Sequence, residues 1–267
     1  MNFFDHLEAL RWHIVRSLIA IIVAAIAVFI KIQFIYEHII LGPTRHDFIT
    51  YRLLCSLGHS LNMADKFCLP DVPIQFQSMQ LSGQFMQAFS SSFMFAFIVA
   101  APYILWEFWR FIKPALKPSE LKYTRGVVFW TSLLFFAGVG FGYFLIAPYT
   151  VNFFASYHLS DSIQNIITIQ SYMDTLSQLV MGCGALFELP ILVYFLSKVN
   201  VLTPAFLKKY RKHAFVIILV VAAFISPPDV VSQFIVTIPL YMLFEISIAI
   251  SARVQRQRDE EDEKEWS

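Results

Sequence analysis

His213-Ala214-Phe215-Val216-Ile217-Ile218-Leu219-Val220-Val221-Ala222-Ala223-Phe224-Ile225, followed by Ser226-Pro227-Pro228-Asp229 and then Val230-Val231-Ser232-Gln233-Phe234-Ile235-Val236, decides the architecture. Two apolar runs flank a turn of four residues. Only 16 residues separate Lys212 from Asp229. At about 1.5 Å per helical residue they reach about 24 Å, less than the ~30 Å of a bilayer's hydrocarbon. The proline pair ends the first helix early, so the last two helices are expected to be short for a membrane. Two accommodations are open: local thinning of the bilayer, or flanking side chains that snorkel to the surface.

Working outward, four more apolar segments precede this pair, near 14–36, 85–112, 127–148 and 172–196, with the last two near 213–225 and 230–251. Hydrophobic residues make up 57% of the 267, charged residues 15%, and Phe alone occurs 28 times. A water-soluble domain carries about 25% charge, so lipid is the expected solvent. The fold expected is an all-α integral membrane protein with six transmembrane helices, helices five and six short. It occupies 1–252 with a long loop at about 37–84, and a charged tail, 253–267, is expected to be disordered. Ala25-Ile26-Ala27 resembles a leader cleavage site, but Asp5 and Glu8 precede it and apolar residues continue beyond it. The first segment therefore reads as an uncleaved helix.

Sixteen of the 20 Lys and Arg residues fall in the N-terminus, the second and fourth connections and the tail. The positive-inside rule then puts both termini in the cytoplasm. The long first loop becomes extracytoplasmic and holds Cys55 and Cys68. In an oxidising compartment these could pair, the alternative being two free thiols. Cys183 reads as a packing residue.

Intramembrane carboxylates cost a few kcal/mol to insert. Glu188 lies ten residues before Lys198, about 15 Å along a helix and near mid-bilayer. It is either a functional group facing a partner or cavity, or a neutral hydrogen-bonded link between helices. Glu245 lies eight residues before Arg253, about 12 Å away, and reads either way. Glu107 and Arg110 pair locally beside Trp106 and Trp109, which reads as structural. Gly138, Gly140 and Gly142 allow close helix packing. Net charge is +1, which gives no footprint for nucleic acid. No phosphate loop, H-E-x-x-H or G-x-S-x-G motif occurs, and no His spacing suits a metal, so neither an enzyme nor a cofactor is expected.

Five fragments, in order, resemble the TatC family of twin-arginine protein translocase subunits. These are His6-Leu7-Glu8-Ala9-Leu10-Arg11; Trp109-Arg110-Phe111-Ile112-Lys113-Pro114-Ala115-Leu116 with Glu120; Phe187-Glu188-Leu189-Pro190; Ser226 through Gln233; and Ile238-Pro239-Leu240-Tyr241 with Phe244-Glu245. The resemblance implies a receptor for twin-arginine signal peptides of folded cargo. It further implies assembly with TatA- and TatB-type single-span partners, self-association, and export driven by the proton-motive force. Glu120, Glu8, Arg11 and Phe111 would then bind the signal peptide. Glu188, Ser226, Asp229, Gln233 and Glu245 would form an intramembrane polar site for partners. Ala9 departs from the family motif, which has glutamate there; Glu8 is one residue earlier, about 100° around a helix. A bacterial inner membrane is the expected location. The alternative function is a proton-coupled secondary transporter using Glu188, against which the two halves show no matched helix interruption.

Overall fold

The structure, a computed structural model, describes residues 3–45, 47–60, 76–115, 126–160, 165–226 and 230–266. In chain order the helices are α1 (Phe3–Ile30), α2 (Ile32–Ile35), α3 (Ile49–Ser60), α4 (Gly83–Ile112), α5 (Val127–Gly140), α6 (Ala147–Ser156), α7 (Ile169–Phe187), α8 (Leu189–Lys198), α9 (Pro204–Lys209), α10 (Arg211–Ile225) and α11 (Val230–Trp266). Two short strands, β1 (Phe76–Gln77) and β2 (Ile167–Thr168), pair in parallel. The chain divides into two compact units, one of 1–136 with 155–177, the other of 137–154 with 178–267.

In the first unit α1 and α4 run antiparallel. Phe29 meets Phe85 edge-on at 6.4 Å at one end, and His13 meets Glu107 at the other. Polar residues on α4 need partners within an apolar helix. Ser91 and Ser92 find them by donating to the carbonyls of Gln87 and Ala88, 2.6 and 2.7 Å away. Past α2 the helix loosens into a π turn, Tyr36–Ile40, and a 3-10 turn, Gly42–Thr44, where Pro43 occupies the first turn. Tyr51 on α3 donates to the Pro43 carbonyl at 2.9 Å, and the Tyr172 hydroxyl donates to that of Ile40. Burial pushes the Tyr51 hydroxyl up to about 12. The long loop thus carries structure of its own, α3 and β1, and β1 pairs with β2 from a later connection; apolar patterning revealed none of these elements.

The second unit is centred on Val193, Leu207 and Ile248, with Leu202 and Phe244 against them. Ser197 on α8 donates to or accepts from Ser251 on α11 at 2.8 Å, both buried. Thr203 caps α9 by accepting from the Phe206 N–H. The break between α7 and α8 falls at Glu188, ahead of Pro190, whose missing N–H cannot continue the ladder.

Among the described residues five helical stretches are long and apolar enough to cross a membrane: Glu8–Ile30, Gly83–Ile112, Val127–Ser156, Ile169–Lys198 and Gln233–Glu260. The expected sixth, α10, is a helix but has only 15 residues, about 22 Å. Two expectations are corrected. The last helix is not short: α11 runs from Val230 to Trp266, and Pro239 within it does not end it. The charged tail expected to be disordered is helical to Trp266, since Arg, Gln, Glu and Lys are good helix formers.

Candidate functional site

Glu107 is buried on α4, its side chain 1% exposed, and it gathers four groups. His13 Nδ1 bonds Oε2, and Arg16 Nη1 stands 4.0 Å from the same oxygen. Tyr103 donates to Oε1 at 3.1 Å, and Arg110 does so at 3.3 Å. His13 and Arg16 share a face of α1 because they are three residues apart, just under one turn. That face meets the turn of α4 carrying Tyr103, Glu107 and Arg110. The sequence reading found Glu107 and Arg110 as a local pair only. Its missing partners lie more than ninety positions away; the signal that could have found them is a His and an Arg one turn apart inside an apolar helix.

Of the residues expected to meet a signal peptide, Phe111 touches this cluster. Phe111, half-buried, receives the His13 ring edge-on at 6.1 Å. Arg11 is exposed and lies over its neighbour Trp12, 5.8 Å from the ring centre. Glu8 is exposed, whereas Ala9, where the resembled motif has an acid, is half-buried. Glu120 lies outside the described residues.

The second group of expected residues is in the other unit. Both carboxylate oxygens of Glu188 are shielded from the surface and bond nothing among the described residues. Ser226 caps α10 by donating to the Ala222 carbonyl at 3.0 Å. Gln233 on α11 donates to the Leu219 carbonyl at 3.3 Å, and Gln178 on α7 to that of Phe224 at 3.0 Å. Three side chains therefore bond carbonyls in the last two turns of a short helix; that of Phe224 lies in the last turn, where intrahelical donors run out, and that of Ala222 also accepts the Ser226 N–H. Gln178 was not singled out from sequence. Glu245 accepts from Arg211 at 2.7 Å and from Tyr241 at 3.0 Å, tying the start of α10 to α11. It differs from Glu188 in having two partners within the chain. Asp229 and Cys68 lie outside the described residues. No cluster of metal-ligating side chains occurs among those described.

The family model for Sec-independent protein translocase protein (TatC) matches residues 5–239. A TatC from Blattabacterium sp. subsp. Periplaneta americana is 39% identical over 259 residues, 97% of each chain. One from Desulforapulum autotrophicum is 33% identical and covers 98% of this chain and 88% of its own. Two crystal structures described as the twin arginine translocase receptor TatC superpose with TM-scores of 0.66 and 0.69, at 28% and 29% identity. They cover 94% and 92% of this chain and 99% of their own.

Proposed function

This chain belongs to the TatC family of Sec-independent protein translocase proteins, multi-pass proteins of the inner membrane, and from that premise we propose that it is the receptor for twin-arginine signal peptides. The observation that carries the reading is the likeness, along nearly the whole chain, to structures that bear the receptor's name. The chemistry agrees with it. An arginine pair needs carboxylates with open acceptor positions, since a carboxylate can hold a guanidinium in two parallel bonds. Glu107 does not qualify, being buried and engaged by His13, Tyr103 and Arg110. Glu8 is exposed on α1 and Glu120 follows α4, so these two acids are assigned the arginines. Phe111 and the exposed Arg11 are assigned to the same signal-peptide site.

Glu188 is assigned to partner helices of the TatA and TatB type. A shielded carboxylate without a partner among the described residues has donors still to find. Ser226 and Gln233, with Asp229 between them, mark the same polar end of α10 as a docking point. Both termini are placed in the cytoplasm on the Lys and Arg distribution, and transport draws on the proton-motive force.

Binding of a fluorescent twin-arginine signal peptide to the detergent-solubilised protein tests the receptor reading. Binding at least tenfold weaker for a twin-lysine peptide, and lost on Glu120→Ala, is the expected result. Equal binding of the two peptides by the wild type would refute it and favour the transporter reading centred on Glu188.

A further inference from the structure

The Glu107 cluster holds more positive charge than it neutralises. One buried carboxylate faces two guanidiniums, at 3.3 Å from Arg110 and 4.0 Å from Arg16, besides the imidazole of His13. A carboxylate has about four acceptor positions and an arginine five N–H donors. Glu107 accepts from His13, Tyr103 and Arg110 and faces Arg16, while Arg16 and Arg110 keep most of their donors. Neither has another acceptor among the described residues. Their side chains are 46% and 43% exposed. On α1 the nearest other acid, Glu8, is eight residues from Arg16, about 12 Å along the helix.

Depth and surroundings narrow what such a site would take. Arg110 stands in the last turn of the apolar stretch Gly83–Ile112, and Arg16 reaches the same carboxylate from α1. That margin is where lipid phosphates lie. Trp106, 43% exposed, stacks under the Arg110 guanidinium at 4.9 Å, and Trp12 is 52% exposed one turn before Arg16. Indole rings favour this boundary, with one edge in hydrocarbon and an N–H toward water. Guanidiniums pre-oriented by a buried carboxylate suit a phosphate better than mobile lysines do, because the fork meets two phosphate oxygens together.

We propose that Arg16 and Arg110, oriented by Glu107 and flanked by Trp12 and Trp106, bind the phosphate of an anionic lipid headgroup. The site adjoins Phe111, which the receptor reading assigns to the signal peptide, but it is cationic and does not itself take an arginine pair. It places a fixed anion beside α1, so that a bound lipid closes the outer side of the α1–α4 pair.

The test uses the full chain in nanodiscs of phosphatidylglycerol and phosphatidylcholine, released into a native mass spectrometer. Wild type is expected to retain phosphatidylglycerol in preference to phosphatidylcholine. Arg16→Gln combined with Arg110→Gln is expected to lower that preference about tenfold. Arg253→Gln combined with Arg256→Gln, an equal charge removed from exposed positions of α11, is expected to leave it unchanged. No preference in the wild type, or the same loss from both double variants, would overturn the proposal. Should the first double variant fail to fold, a photoactivatable phosphatidylglycerol on the wild type decides. Label confined to residues 11–16 and 103–112 supports the site, and label spread over all helices overturns it. Inorganic phosphate that displaces the label identifies free phosphate as the ligand; a label that persists identifies the headgroup.

Discussion

Glu107 shows at the residue scale how a charge is kept inside an apolar bundle. Removing one partner of a buried ion pair costs about 3–5 kcal/mol; here the cationic partners Arg16 and Arg110 are nearly half exposed, and screening reduces the loss. Glu107→Ala is expected to destabilise the protein by about 2 kcal/mol, with Glu107→Gln milder because it still accepts from Tyr103. Thermal unfolding in detergent, followed by tryptophan fluorescence, measures this, and a wild-type melting temperature for the alanine variant would contradict it. The sequence revealed Glu107 and Arg110 but not His13 or Arg16 as their companions. Spacing along one helix shows only what lies within a turn or so, whereas this cluster depends on which face of α1 meets α4. Glu188 was legible for the opposite reason: a lone carboxylate ahead of a proline in an apolar run is conspicuous without any partner.

At the scale of elements, the glycines separate by their neighbours. A Cβ at Gly138 would stand 2.5 Å from the Cys183 carbonyl oxygen and 2.9 Å from the Gly184 Cα, and one at Gly142 would stand 2.8 Å from the Leu179 carbonyl oxygen. These are backbone atoms of α7 and cannot move aside separately. At Gly140 the nearest atom is a Phe144 ring carbon at 3.9 Å. Gly138→Ala is therefore expected to cost about 1–3 kcal/mol of overpacking, and Gly140→Ala almost nothing. The same melting assay distinguishes them, and equal melting temperatures would contradict the packing assigned. All three glycines were read as packing residues from sequence, but only the four-residue spacing of Gly138 and Gly142 puts both on the face toward α7. The brevity of α10 was legible too, since the distance from Lys212 to the proline pair bounds it. The length of α11 was not: helix propensity in a charged tail is a weak signal, and disorder and helix share that composition. Nor were α3 and the β1–β2 pair, whose short segments carry no long hydrophobic period.

For the whole molecule, five long apolar helices and the short α10 account for a multi-pass protein of the inner membrane. The broad apolar surface is consistent with this: Val23, Phe224 and Met242 are 62%, 77% and 60% exposed, as suits side chains that meet lipid. The family was legible through five short fragments in order, and the family match covers the first four and reaches the start of the fifth. Their individual roles were not, because no local pattern reports which acid meets a ligand. Cross-linking tests receptor function most directly. A photo-reactive residue at position 8 or position 111 is challenged, in membranes, with a labelled precursor carrying an intact arginine pair. Receptor function predicts cross-links at both positions that vanish when the pair is replaced by lysines, while a photo-reactive residue at exposed position 224 on α10 gives none that depend on the pair. Absence of cross-links at positions 8 and 111, or cross-links indifferent to the arginines, would contradict it.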